Sequence, residues 1–87
     1  MKITDSKSLG QAIRTRRKEL NYTQAYLSEF TGLSVTFISD LERGKRNPSL
    51  MILNRVAIAL KIDMSELLKG IQDFSYEDIV LKMSSIR

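Results

Sequence analysis

The chain has no cysteine, no histidine and no tryptophan. Without cysteine there is no disulfide and no thiol chemistry. Without cysteine and histidine the usual zinc ligand sets are gone, and with histidine goes the commonest general base. No metal, cofactor or catalytic residue is therefore expected. Proline occurs once, at Pro48, and glycine four times, so chain breakers are few and their positions carry information. No apolar run approaches the roughly 20 residues that a membrane span needs. Residues 1–8, MKITDSKS, lack the apolar stretch of a secretory signal, so the expected location is the cytoplasm and no membrane partner is expected.

What is present fits one small folded domain. Eighty-seven residues with 43% hydrophobic content are too apolar for a disordered chain and too short for two cores. A chain of this size buries only about 60–65% of its unfolded surface, so a partner would add to a modest stability. The net charge is +4, and it is unevenly placed. Residues 1–48 carry nine basic and five acidic groups, whereas residues 49–87 carry five of each. The excess positive charge sits wholly in the amino-terminal half, which suits a polyanionic partner and equally suits a solvated basic face.

Helix signals recur every 12–15 residues and strand signals are poor. A first helix is predicted over residues 8–20, with Leu9, Ile13 and Leu20 on one stripe and Ala12 beside it. Thr23 is placed to cap a second helix over residues 24–31, which Gly32 ends. Ser34 caps a third over residues 35–43, ended by Gly44. Asn47-Pro48 punctuates the next turn, and residues 49–60 form a fourth helix with Leu53, Val56, Ala57 and Leu60 inward. Asp63 and Glu66 frame a capping arrangement for a short fifth helix ending at Gly70. Ser75 and Asp78, three apart, resemble another capping box, and Tyr76, Ile79, Val80 and Met83 continue a helical stripe. A sixth helix over residues 76–85 is expected, with a strand through Ile79-Val80-Leu81 as the alternative. The fold class is all-α.

Gly32-Leu33-Ser34 joins two helices by a three-residue turn containing glycine, the sequence form of a helix-turn-helix. Ala25, Leu27, Ile38 and Leu41 are spaced to lock these helices together and onto the fourth. That leaves Val35, Thr36, Ser39, Asp40 and Arg43 facing outward, small near the start of the helix and basic near its end. A helix entering the major groove of DNA needs this profile, because bulky residues would hold its backbone away from the base edges.

The run TQAYLSEFTGLSVTFISDLERGKRNPSL resembles the signature of the Cro/XRE family of phage-repressor helix-turn-helix domains. The shared elements are Thr23-Gln24, Leu27, Gly32, Ile38-Ser39, Leu41-Glu42-Arg43-Gly44 and Pro48, and the resemblance covers about residues 8–70. It implies a five-helix lambda-repressor-like DNA-binding domain over residues 1–70, with a carboxy-terminal extension over residues 71–87. It also implies sequence-specific binding of double-stranded DNA by a homodimer on a palindromic operator, and regulation of transcription, most simply repression. On that resemblance Gln24, with Thr23 beside it, takes the family's phosphate- and base-contacting position. Val35, Thr36 and Asp40 match base-reading positions, flanked by Ser34, Phe37 and Ser39. Arg43, Lys45 and Arg46 match the loop that grips the backbone. Arg17 is counted with the DNA-contacting residues, and Arg17 and Glu42 also occupy positions that pair across the first and third helices.

Three residues depart from the family pattern. Val35 replaces a polar base reader and suits a thymine methyl group. Asp40 stands where a basic residue or glutamine is common, so it either accepts from a cytosine amino group or pairs with a neighbouring Arg or Lys. Phe37 is larger than usual and is expected to pack on the loop after the third helix. Met51 and Ile58, off the buried stripe of the fourth helix, join Phe74, Tyr76, Ile79, Val80 and Met83 as the expected dimer or partner surface. The same segment also resembles the DNA-binding antitoxins of toxin–antitoxin operons, which would add a toxin as partner, and the controller proteins of restriction–modification systems.

Overall fold

Three of the described helices start at a capping hydroxyl, and four end at a left-handed residue. The computed structural model describes residues 6–68. Within them lie α1 (Ser6–Glu19), α2 (Gln24–Thr31), α3 (Val35–Glu42), α4 (Leu50–Ala59) and α5 (Met64–Leu68), with no strand among the described residues. Thr23, Ser34 and Ser49 adopt extended backbone angles, and each side-chain oxygen accepts from an amide three residues on, at 3.0, 3.0 and 3.2 Å. Such caps satisfy donors that the first turn of a helix leaves over, at about 1 kcal/mol each.

The helix ends repeat one motif. Tyr22 N donates to Arg17 O and Asn21 N to Lys18 O after α1; Lys45 N donates to Asp40 O and Gly44 N to Leu41 O after α3; Ile62 N donates to Ala57 O and Lys61 N to Ile58 O after α4. The residue carrying the left-handed turn is Gly44 after α3, but Asn21 (φ 59°) after α1 and Lys61 (φ 55°) after α4. Lysine has no intrinsic tolerance for that region. Arg16 compensates, its Nε donating to Leu60 O at 3.0 Å and its Nη2 to Lys61 O at 3.2 Å.

The core gathers one stripe from every helix: Leu9 and Ile13 from α1, Leu27 from α2, Ile38 and Leu41 from α3, Leu53, Val56 and Ala57 from α4 with Leu60 at its cap, and Met64, Leu67 and Leu68 from α5. Burying each large side chain stabilises the fold by roughly 1.5–3 kcal/mol. Helix α1 packs on α3 and α5, α2 on α3 and α4, and α4 on α5. At the α1–α3 crossing the backbones nearly touch. A Cβ on Gly10 would lie 2.5 Å from the carbonyl oxygens of both Leu41 and Glu42.

The first five expected helices are here, with α1 beginning two residues earlier and α3 and α4 slightly shorter than predicted. One interior assignment is corrected: Ala25 is exposed. Helix α2 turns Leu27 and Thr31 inward, four residues apart, which places Ala25 outside. The fifth helix's expected end at Gly70, the domain boundary there, the sixth helix and Phe74, Tyr76, Ile79, Val80 and Met83 lie outside the described residues.

Candidate nucleic-acid interface

Gly32 takes φ 73°, ψ 7°, and its amide donates to Ser28 O at 2.9 Å, so the turn from α2 to α3 uses the left-handed conformation that glycine adopts without strain. Thr31 closes the same corner, its Oγ1 donating to Leu27 O and accepting from Leu33 N. The turn sets α3 across α2 with the start of α3 in solvent. Val35 is 45% exposed, Ser34 and Thr36 are exposed, and Ser39 and Asp40 are half-buried. This surface is small and uncharged for its first turn, the profile required for approach to base edges.

The basic loop follows directly. Arg43, Lys45 and Arg46 are all exposed. Asp40 is taken up by two of them: Arg43 Nη2 lies 2.6 Å from Oδ1 and Arg46 Nε 3.8 Å from Oδ2. Of the two roles open to Asp40, the structure shows pairing with neighbouring arginines. Phe37 is half-buried against the core, and Arg46 lies over its ring, 4.8 Å from the centroid. The ring thus packs on the loop after α3, as expected from its size, and holds Arg46 by a cation–π contact.

Behind this surface sits the one buried ion pair of the described residues. Arg17 Nε donates to Glu42 Oε2 at 2.6 Å and Arg17 Nη2 to Glu42 Oε1 at 3.0 Å, while Arg17 Nη1 donates to Tyr22 O at 2.7 Å. The two side chains retain 10% and 3% of their exposure. The hydrogen bond to Glu42 raises the Arg17 pKa further above the ordinary arginine value, against an opposing desolvation. Arg17 therefore braces α1 against α3, as its pairing position implied. Each of its three nitrogens donates inside the fold and the side chain is nearly buried, so it presents little to DNA.

Gln24 connects the pair to the surface. Half-buried at the start of α2, it donates from Nε2 to Glu42 Oε1 at 3.2 Å. A carboxylate can only accept, so this bond fixes which end of the carboxamide faces inward. Thr23 is exposed beside it, and its oxygen accepts from Tyr26 N at 3.0 Å. Helix α2 thus offers its positive end, a hydroxyl and an oriented amide at one place, a natural phosphate site.

Met51 and Ile58 are 74% and 69% exposed. Their expected companions fall outside the described residues. Sequence reasoning missed Tyr26 and Phe30, also exposed, and Arg55, whose Nη1 donates to Thr31 O at 3.3 Å. The four-residue spacing of Tyr22, Tyr26 and Phe30 is visible in the sequence, but the turn of α2 that faces two of them outward is not. No helix among the described residues is long and apolar enough to cross a membrane.

The chain matches the helix-turn-helix family HTH_3 over residues 13–67. It is 45% identical over 58 residues to the immunity repressor protein of Bacillus phage phi105, covering 67% of this chain and 40% of that one. Among solved structures it resembles the restriction–modification controller protein C.AhdI from Aeromonas hydrophila, with a TM-score of 0.71 and 35% identity over 72% of this chain and 96% of that one. It also resembles SinR, the master regulator for biofilm formation, solved in complex with DNA, with a TM-score of 0.67 and 34% identity over 70% of this chain and 98% of that one. The capped helix pair, the glycine turn and the small-faced third helix are those of a DNA-binding regulator, and the chain belongs to the helix-turn-helix family HTH_3, of Cro/XRE type.

Proposed function

We propose that the chain represses transcription as a homodimer bound to a two-fold symmetric operator, in the cytoplasm, by occupancy and without catalysis. Two copies of α3 enter successive major grooves about 34 Å apart. Thr23, Gln24, Arg43, Lys45 and Arg46 hold the sugar-phosphate backbone and set register. Val35 and Thr36, with Ser34 and Ser39 beside them, read bases. Phe37 and Asp40 support the reading surface, since both are engaged with Arg46. The observation that carries this reading is the solvent-exposed first turn of α3 next to the capped start of α2 and the basic loop. Bound across a promoter, such a dimer excludes polymerase.

The test separates register from readout. Gln24→Ala is expected to weaken binding to all operator variants alike. Thr36→Ala is expected to lose about 1–3 kcal/mol of discrimination at one base pair. Both are measured by titration against single-base variants of a site selected from random duplexes. If Thr36→Ala leaves base preference unchanged, α3 is not the reading element.

A further inference from the structure

The outer side of α2 carries residues that DNA binding does not use. Tyr26 meets Tyr22 and Phe30 edge-on, with ring centroids 4.7 and 4.8 Å apart. Tyr26 and Phe30 are 43% and 57% exposed. Tyr22, Phe30, Ile58 and Ala59 line an open groove of about 240 Å³ between α2 and α4, whose rim carries Arg55 and Lys61. Scattered single apolar side chains are ordinary at a protein surface, but a contiguous cluster of rings and isoleucine marks an interaction site.

We propose that this groove receives residues 71–80 of a second copy of the chain. Charge points to that occupant. Between Lys69 and Lys82 the charged residues are Asp73, Glu77 and Asp78, all acidic, opposite a rim of Arg55 and Lys61. Composition agrees, because the same ten residues bring Ile71, Phe74, Tyr76, Ile79 and Val80 to an apolar floor. Reach agrees as well. The described fold closes with α5 at Leu68, and the six residues from there to Phe74 span up to roughly 20 Å when extended. That reach is comparable with the 20 Å shortest extent of the described domain. The choice of a second copy rests on the dimeric reading above. Reciprocal exchange between two copies makes each contact twice, the form that a two-fold assembly takes.

The experiment uses the full chain. Because it has no cysteine, Ser84→Cys gives one attachment point for a nitroxide label. Spin-labelled chain without isotopes is mixed with isotope-labelled chain without the spin label, and the Ile58 methyl and Phe30 ring signals are followed by NMR. Sedimentation of the same sample gives its oligomeric state. The expected result is a dimer in which both signals lose intensity while the Thr15 methyl on α1 does not. A dimer without that loss overturns the groove proposal and leaves the dimeric reading standing. A monomer overturns both. Loss only when label and isotope share a chain shows the segment on its own domain and overturns exchange between copies. As a second arm, Ile58→Asp, at an exposed position, is expected to abolish the loss and raise the dimer dissociation constant at least about tenfold. Unchanged dimerisation in a folded Ile58→Asp chain also overturns the proposal.

Discussion

Truncating either partner of the Arg17–Glu42 pair is expected to destabilise the protein far more than removing both. In Glu42→Leu, the Arg17 guanidinium stays in the interior with the Tyr22 carbonyl as its remaining acceptor. In Arg17→Met, Glu42 is left with one bond, from Gln24. Each single variant strands a charge that is almost fully buried, at a cost of about 3–5 kcal/mol. A chain of this size is stable by roughly 4–13 kcal/mol, so either change consumes a large part of the total. The double variant Arg17→Met, Glu42→Leu strands no charge and replaces the pair with apolar groups of similar volume. It is expected to fall within about 1–2 kcal/mol of the parent. Urea unfolding of the four proteins gives the coupling energy directly, expected at about 4 kcal/mol or more and little changed between low and high salt, because burial shields the pair from counterions. Single variants that each lose less than about 1 kcal/mol, or a coupling indistinguishable from zero, would refute this account and make the pair a surface contact in solution.

The other expectations concern charge and backbone. Operator affinity should fall about a thousandfold between 50 and 200 mM salt for about six phosphate contacts per dimer. Alanine at Arg43, Lys45 or Arg46 should flatten the salt dependence, whereas Arg16→Ala should leave it unchanged and lower stability, because Arg16 is bonded to Leu60 O and Lys61 O. Gly10→Ala, normally favourable inside a helix by about 1 kcal/mol, should instead cost about 3 kcal/mol or more in urea unfolding, since its Cβ meets two carbonyl oxygens at 2.5 Å. Lys61→Gly should raise the melting temperature by about 4–8 °C, the equivalent of about 1 kcal/mol of released backbone strain at φ 55°.

The helices were legible because each carries a period of apolar residues, and α2, α3 and α4 each have a hydroxyl at the start. The turn at Gly32 was legible because only glycine suits it readily. Arg17 and Glu42 were legible as a pair through the family resemblance alone, since nothing in a 25-residue separation says that two charges meet. What the sequence concealed follows from geometry between elements. Arg16 and Arg17 are neighbours of the same type, yet one caps α4 and the other enters the core. That difference depends on a left-handed turn at Lys61, which a lysine does not announce. Ala25 reads as interior until the rotation of α2 is known, and the exposure of Tyr26 and Phe30 depends on the same rotation. Asp40 left two roles open because either partner suits a carboxylate, and the positions of Arg43 and Arg46 decide between them.

The residues that shape the reading surface are joined to the core by a short path, and that path explains why α1 influences a surface it does not form. Gly10 lets the backbone of α1 lie against the carbonyls of Leu41 and Glu42 at the end of α3. That close approach brings Arg17, two turns further along α1, to the Glu42 carboxylate. Glu42 in turn holds the Gln24 carboxamide at the start of α2. A change anywhere along this path is expected to move α3 against α2, so the spacing between the start of α2 and the first turn of α3, the two parts of the proposed interface, is set from the interior. The surface residues Val35 and Thr36 sit outside it, exposed in the first turn of α3. Sequence preference can therefore vary at those two positions while the angle of the helix pair stays fixed. A small domain can in this way change its operator by substitution of exposed residues at little cost in stability.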